Sequence, residues 1–240
     1  MKIAVLTDIH ANLPALDAVL AALDPVDGIW VLGDIVGYGP DPNEVVARLR
    51  ERGAIAVRGN HDAAATGRIG TSEFNSFARG AAEWTARTIT PATRDWLHDL
   101  PDRLEIGDFT LAHASPRDPV WEYVTGPTVA RENLAHFTTP YAIVGHTHRP
   151  VVFRDGPDGM ASVRADDGTV LQLDERRAIL NPGGVGQPRD GDPRACAMLL
   201  DPELGRAEWR RIPYPVTETQ ARMRAVGLPA MLIDRLTVGM

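Results

Sequence analysis

The sequence predicts an α/β fold in which two β-sheets pack face to face with helices on the outside. Residues 1–58 alternate apolar, β-branched segments with helical patterns, which predicts a parallel sheet. The part after Arg149 contains short strands separated by Gly, Asp and Pro, which predicts antiparallel hairpins. With 240 residues, 44% of them apolar and 24% charged, the chain has the composition of an ordinary globular domain with a full core.

The N-terminal third predicts strands joined by right-handed helical crossovers. Pro42 suits the first turn of the second helix, and Gly53 suits its C-terminal cap. The predicted order is strand 2–7, helix 13–23, strand 27–32, helix 42–52 and strand 54–58.

The middle of the chain is more helical, and the part that follows is made of strands. Helices are predicted over 72–88, 91–99 and 127–137, with strands at 109–112 and 141–144. The strands predicted after Arg149 are 151–154, 161–165, 169–173, 178–180, 195–200 and 207–212.

The C-terminal segment 216–236 is amphipathic, with Met and Leu on one face. We predict a helix that packs on the rest of the chain, and the alternative is a contact within a homodimer. The sequence has no internal repeat and no low-complexity linker, so we predict one domain over residues 1–240 with this helical segment at its end.

The charge and the single cysteine narrow the function classes. A formal net charge of −7 and no basic stripe argue against a protein that grips a nucleic-acid backbone. No apolar stretch approaches the length of a membrane span. Cys196 has no partner for a disulfide and lies in an apolar, strand-like segment, where an inert buried thiol is expected. We therefore predict a cytoplasmic protein.

Polar side chains follow four of the predicted strands. Asp8, Asp34, Asn60 and His113 each come just after the carboxyl end of a strand. That edge is where open α/β sheets bind their ligands. We therefore expect these side chains to share one site.

Two short patterns add imidazoles to this set. Asp8-Ile-His10 and His146-Thr-His148 each place two side chains on one side of an extended segment, because side chains alternate along a strand. Either pair alone is compatible with a capped turn or a solvated loop. Together they form a mixed oxygen and imidazole set, which suits Mn, Fe or Zn.

These motifs resemble, in order, those of the calcineurin-like metallophosphoesterase superfamily, and segment 181–186 resembles a motif of its small bacterial phosphoesterases. The motifs are Asp8-x-His10, Gly33-Asp34, Gly59-Asn60-His61-Asp62, His113 and Gly145-His146-x-His148. The resemblance implies a four-layer αββα sandwich of two mixed sheets. It also implies hydrolysis of a phosphate ester with two divalent metal ions, Mn first and Fe, Zn or Ni as alternatives.

The resemblance also implies a role for each residue. Asp34 would bridge the two ions, and His61 would act on the substrate as the general acid. The first ion would be held by Asp8, His10 and His148, and the second by Asn60, His113 and His146.

The sequence departs from part of the superfamily at two positions. The protein serine/threonine phosphatases carry an Asp that orients the site histidine and an Arg that contacts phosphate, where this chain has Gly37 and Tyr38. Whether Asp62 supports His61 instead is left open by the sequence. The departure argues against a dedicated phosphoprotein phosphatase.

Substrate choice is expected to depend on two loops at the rim of the metal site, residues 115–123 and residues 187–194. Arg117 and Arg189 are candidates to bind the phosphoryl group, and the alternative is that they pair with Asp118 and Asp190 on the surface. The aromatic side chains of residues 121 and 123 are candidates to stack on a base.

The substrate is predicted to be a small phosphorylated molecule. The first hypothesis for the activity of the protein is a nucleotide-type phosphodiesterase, and the second is a general phosphatase. A binding scaffold that has lost catalysis is the alternative from another class, but every ligand position and His61 are present.

Overall fold

Two six-stranded mixed sheets form the centre of the protein, in a computed structural model that describes residues 1–240. The strands are β1 (Ile3–Leu6), β2 (Gly28–Leu32), β3 (Ile55–Val57), β4 (Arg103–Ile106), β5 (Phe109–Ala112), β6 (Tyr141–Ile143), β7 (Val151–Arg154), β8 (Ala161–Arg164), β9 (Val170–Gln172), β10 (Ala178–Asn181), β11 (Ala195–Asp201) and β12 (Arg206–Ile212).

Eight α-helices and two 3₁₀ turns, Leu134–His136 and Arg235–Thr237, connect and flank these strands. None of the helices has the length and apolar character needed to cross a lipid bilayer. The helices are α1 (Leu13–Leu23), α2 (Pro42–Glu51), α3 (Asn60–Ala65), α4 (Ser76–Thr88), α5 (Pro91–Asp99), α6 (Pro127–Asn133), α7 (Val216–Ala225) and α8 (Ala230–Asp234).

The first sheet has the strand order β3-β2-β1-β11-β12-β9. Strands β1, β2 and β3 run parallel, as their helical crossovers require. The hairpin β11–β12 then adds antiparallel strands beside β1, with Ile3 opposite Leu200. Each half of the chain was expected to supply one kind of sheet, but the C-terminal strands complete the N-terminal sheet.

The second sheet has the order β4-β5-β6-β10-β7-β8. Its centre, β5-β6-β10, is parallel, and hairpins form both edges. Both sheets are therefore mixed, as the resemblance of the motifs implied and the strand patterns alone did not.

Alternation along β1 shows how the layers pack. Ala4 and Leu6 belong to the core beneath the helices, whereas Ile3 and Val5 belong to the core between the two sheets. On the far side of the second sheet, α6 covers a smaller core that includes Ile179. The order is helices, sheet, sheet, helix, which confirms the predicted four-layer sandwich.

Some element boundaries differ from the prediction. The prediction of one continuous helix over 216–236 is wrong, because this helical segment is interrupted. Helix α7 ends at Ala225, the chain turns at Gly227 with φ +73°, and α8 begins only after Pro229. Since Pro lacks an amide hydrogen and Gly favours a left-handed turn, the amphipathic pattern cannot continue as one helix.

Three further differences lie in the middle of the chain. The helix expected from residue 72 begins at Ser76, because the Asn75 side chain caps it by accepting from the amides of Phe77 and Ala78. The short helix α3 and the edge strand β4 were not predicted from the sequence.

Candidate metal centre

The predicted site residues converge at the carboxyl ends of parallel strands from both sheets. Asp8, Asp34 and Asn60 follow β1, β2 and β3 of the first sheet, and His113 follows β5 of the second. The turn after β6 supplies His146 and His148. All seven predicted ligands are buried, with at most 3% of each residue exposed.

The local backbone at these residues is not the extended one that the sequence suggested. Asp8, His10, Asp34, His146 and His148 have φ between 49° and 63°, in the left-handed region that non-glycine residues rarely adopt. The alternation argument for Asp-x-His and His-x-His was therefore wrong in its geometry. Left-handed turns, not strand pleating, aim these side chains into one cavity, and such strained backbone is typical of functional sites.

Backbone carbonyls orient three of the imidazoles. In each, Nδ1 lies within hydrogen-bonding distance of a carbonyl oxygen, which places the proton on Nδ1 and leaves the Nε2 lone pair facing the cavity. The pairs are His10 Nδ1 with Val36 O at 3.2 Å, His113 Nδ1 with Leu32 O at 2.7 Å and His148 Nδ1 with Gln187 O at 2.5 Å.

Asp8, His10 and His148 form the first cluster. The Nε2 atoms of the two histidines are 3.3 Å apart, and His148 Nε2 is 3.2 Å from Asp8 Oδ1. Asp8 Oδ1 is buried and has no hydrogen-bond donor. Because three acceptor atoms face one another without a proton between them, a cation at their centre would satisfy all three.

Asp34, His113 and His146 form the second cluster. His113 Nε2 lies 3.1 Å from His146 Nδ1 and 3.4 Å from Asp34 Oδ2. The carboxamide oxygen of Asn60 faces only acceptors, at 3.2 Å from His113 Nε2 and 3.3 Å from each carboxylate oxygen of Asp34. Burial disfavours a proton on His113, but the neighbouring Asp34 and Asp8 raise its pKa to about 9. A second cation among these atoms would take the place of that proton and have all four atoms as ligands.

Asp34 lies between the clusters. Its Oδ2 is 3.4 Å from His113 Nε2 in one cluster and 3.7 Å from His10 Nε2 in the other. Its Oδ1 accepts a hydrogen bond from the amide of His61 at 2.9 Å, which holds the carboxylate in this orientation.

Burial prepares these groups for cations. It lowers the pKa of His10, His146 and His148 well below the usual value, so these imidazoles stay neutral and keep a lone pair. It also raises the pKa of the Asp8 carboxyl to about 7, because a buried carboxylate lacks solvation. The donor set and its burial therefore fit divalent cations.

His61 lies beside these clusters and keeps one ring nitrogen free. Its Nδ1 is buried without a hydrogen-bond partner and faces the Cα of Gly37. Asp62 does not support it, because that carboxylate accepts from the amides of Gly59 at 2.9 Å and Val36 at 3.0 Å. Aromatic neighbours hold the ring instead, with Tyr38 at 4.4 Å between ring centroids.

The two candidate arginines have different surroundings. The Arg189 guanidinium hydrogen-bonds the carboxamide of Gln187 at 2.8 Å and lies over the ring of Tyr38, 5.7 Å from its centroid. It lines the cavity above the ligands. Gln187 was not singled out from the sequence, although it follows the Gly-rich segment 181–186 directly.

Arg117 is bound by carboxylates outside this cavity. It pairs with Glu122 and with Glu132, the latter at 3.0 Å. The alternative interpretation was that each arginine pairs with its sequence neighbour. Neither the pair Arg117–Asp118 nor the pair Arg189–Asp190 is present. Asp190 pairs with Arg211, and Asp118 caps the turn at Val120.

The cavity above the ligands is small and has aromatic walls. Its volume is about 90 Å³. Trp121 and Tyr123 line it, as the loop position suggested, and the ring of Tyr123 stacks on His146 at 3.8 Å. Phe74 is a further wall residue that sequence reasoning missed, because the sequence predicted a helix from residue 72, whereas Phe74 lies in the loop before α4.

Comparison with known proteins agrees with this geometry. Residues 1–203 match the calcineurin-like phosphoesterase superfamily domain. The chain is 32% identical to an uncharacterized protein of Methanocaldococcus jannaschii, with 99% of this chain and 98% of that protein covered. It is 28% identical to phosphodiesterase YfcE of Escherichia coli K12, with coverage of 83% and 87%.

A solved structure is similar over the whole length. The crystal structure of a metallophosphoesterase from Sphaerobacter thermophilus has a TM-score of 0.93 and 44% sequence identity, with both chains covered completely. The C-terminal segment, which lies beyond the matched family domain, is therefore part of a shared architecture. By sequence and by structure, this chain belongs to the calcineurin-like phosphoesterase superfamily and is a hydrolase that acts on phosphate esters.

Proposed function

We propose that the protein hydrolyses a small phosphate ester at a dinuclear metal site, with a phosphodiester as the first candidate. The observation that carries this proposal is the position of Asp34, whose Oδ2 faces a histidine of each cluster at 3.4 and 3.7 Å. Asp8, His10 and His148 would hold one divalent cation, and Asn60, His113 and His146 the other. Asp34 would serve both.

The bound ions would supply Lewis acidity and a charge that neutralises the phosphoryl oxygens. The chain's own residues would do the rest. Arg189 has no carboxylate partner and would contact a phosphoryl oxygen at the mouth of the cavity. The walls formed by Tyr38, Phe74 and Trp121 would keep bulk water away from the reacting phosphorus.

His61 would protonate the oxygen of the leaving group. Burial lowers the pKa of its imidazole to about 4. An anionic phosphoryl group beside the ring would favour the imidazolium form, since a nearby opposite charge stabilises it. A bound substrate would thus increase the share of the imidazolium form, which is the form that can donate a proton to the leaving oxygen.

Two observations favour a diester over a phosphoprotein. The relative from Escherichia coli is named a phosphodiesterase. Gly37 and Tyr38 stand where the protein phosphatases carry the orienting Asp and the phosphate-contacting Arg, so that arrangement cannot form here. A general phosphatase remains the second candidate within the class. The complete ligand set and a held His61 argue against a scaffold without catalysis.

Several finer features are part of the same proposal. Mn²⁺ is the expected native ion, since the donors mix carboxylates, an amide and imidazoles. The pairing of β1 with β11 supports one domain over residues 1–240. A cytoplasmic location and a homodimer through the C-terminal segment stay predictions.

The test combines metal removal with a ligand variant. EDTA should abolish hydrolysis of bis-p-nitrophenyl phosphate, and Mn²⁺ should restore it better than Mg²⁺. Asp34→Asn should lose more activity than any other single ligand variant, with metal content falling in elemental analysis. His98→Ala is the control, because that histidine is exposed on α5. Full activity of the EDTA-treated protein, or two bound ions and a near-native rate in Asp34→Asn, would contradict the proposal.

A further inference from the structure

A second and larger cavity lies beside the metal centre. Its volume is about 610 Å³, compared with about 90 Å³ for the cavity above the ligands. Arg189 lines both. The turn after β6 separates them, since His146 and His148 line the smaller cavity and Thr147 between them lines the larger one. Arg189 thus borders both cavities, and a substrate that extends past it from the reacting phosphorus would enter the larger one.

One face of the β7–β8 hairpin forms the floor of this cavity. Val151 lies opposite Arg164, and Phe153 lies opposite Ser162. All four line the cavity, because residues two apart on a strand share a face. The apolar part of the floor is thus Val151, above the buried ring of Phe153, with a guanidinium at its side.

The charged groups around this floor carry an excess of positive charge. Three arginines line the cavity, with Asp190 as the single acidic residue. Asp190 is already paired with Arg211 and lies 3.5 Å from Arg164. Arg164 also pairs through Nε with Asp166 at 2.6 Å, so the four arginines Arg149, Arg164, Arg189 and Arg211 face two carboxylates. Arg149 donates to the backbone carbonyl of Arg189 at 2.9 Å. Neither Arg149 nor Arg189 hydrogen-bonds a carboxylate. Their remaining N–H groups are available to an anion.

We propose that this cavity binds a second phosphoryl group of the substrate. Arg149, helped by the Nη groups of Arg164, would contact that group, while the carbon framework between the two phosphoryl groups would lie on Val151. Guanidinium groups suit this task, because they bind phosphoryl oxygens in a bidentate way. The inference rests on the proposed function for the position of the first phosphoryl group, and it defines the substrate class as organic molecules with two phosphoryl groups.

A binding experiment tests the cavity without turnover. Alkyl phosphonates cannot be hydrolysed at their carbon–phosphorus bond, so the Mn²⁺-loaded protein can be titrated with them by calorimetry. An α,ω-alkane bisphosphonate should bind more tightly than the alkyl monophosphonate of equal chain length, by about tenfold or more at the best length. A series of increasing chain length should show an optimum where the linker spans from the metal centre to Arg149.

Two double variants identify the site. Arg149→Gln/Arg164→Gln should remove the preference for the bisphosphonate and leave monophosphonate binding and hydrolysis of p-nitrophenyl phosphate within about twofold. Arg206→Gln/Arg210→Gln is the matched control, because it removes the same charge from two arginines of β12 that pair with Glu208. That control should keep the preference.

The outcomes separate this inference from the proposed function. Metal-dependent hydrolysis of p-nitrophenyl phosphate with equal binding of mono- and bisphosphonates would overturn the second phosphoryl site and leave the proposed function intact. Equal loss of the preference in both double variants would also overturn it, since a general field effect would then explain the binding. A bisphosphonate preference that depends on Arg149 and Arg164 in a protein without hydrolytic activity would keep the site and reject the proposed function.

Discussion

The ring of His61 packs against the Cα of Gly37 so closely that a β-carbon at position 37 would overlap its Nδ1. Gly37 also has a φ of +89°, a conformation that side chains disfavour. The departure from the protein phosphatases seen in the sequence thus has a physical consequence. No residue with a side chain fits at position 37 while His61 keeps its present orientation.

Gly37→Ala should therefore impair catalysis through the position of His61. We expect kcat to fall by about tenfold or more, because a small displacement of a catalytic group is costly. Metal content should stay unchanged. The free energy of unfolding should also decrease by more than about 1 kcal/mol, owing to the strained backbone.

Gly53→Ala is the matched control for this prediction. Gly53 has a φ of +61°, yet a β-carbon there would have no neighbour within 4 Å. It should lose stability through the backbone alone and keep its kcat. If Gly37→Ala and Gly53→Ala had the same kcat, the contact with His61 would have no catalytic significance.

His61→Ala should separate proton donation from metal binding. We expect kcat to decrease about 10²–10⁴-fold for alkyl esters, the range of a positioned proton donor. The loss should be smaller for p-nitrophenyl esters, whose leaving group needs little protonation. Steady-state rates with both ester types and elemental analysis check this prediction.

Two results would contradict the role given to His61. An equal loss with both ester types would exclude proton donation. Loss of bound metal would make the residue a ligand, which its position within reach of His10 and Asp34 would explain.

The place of the metal centre could be predicted because chain order determines it. Strand ends that carry Asp8, Asp34 and Asn60 lie at one sheet edge in any parallel βαβ arrangement. The side-chain directions could not be predicted in the same way. They depend on left-handed turns at residues such as His10 and His148, and no local pattern predicts this conformation in a non-glycine residue.

The fold was predicted where local pattern and tertiary packing agree. The crossovers around α1 and α2 are an example, since buried strands and capped helices follow directly from the sequence. The mixed character of the first sheet depends on β11 pairing with β1, a contact between residues almost two hundred positions apart such as Ile3 and Leu200. Gly227 and Pro229 mark the break before α8, although the amphipathic pattern continues past both residues.

Cys196 should be chemically inert in the native protein. The residue is fully buried in β11, and burial raises the pKa of its thiol to about 12, so almost no thiolate forms near neutral pH. Iodoacetamide should leave it unmodified under native conditions and alkylate it fully in guanidinium chloride. Mass spectrometry measures both. Labelling of the native protein at the rate of the unfolded chain would show that β11 opens readily.

Arg189 and Arg117 should differ sharply in their effect on catalysis, although the sequence made them equivalent. Arg189 lines the cavity and its partners, the carboxamide of Gln187 and the ring of Tyr38, carry no charge, so its own charge is available to the substrate. Arg117 is held by Glu122 and Glu132, two residues that the sequence did not connect with it.

Arg189→Ala should therefore lose about 1.5–3 kcal/mol of transition-state binding, roughly 10–150-fold in kcat/KM. Arg117→Ala is the control and should leave kcat/KM within about twofold, because its exposed ion pairs contribute little. Steady-state kinetics on bis-p-nitrophenyl phosphate, with metal content measured in parallel, would test both variants. Equal kcat/KM values for the two would place the recognition of the phosphoryl group elsewhere in the cavity.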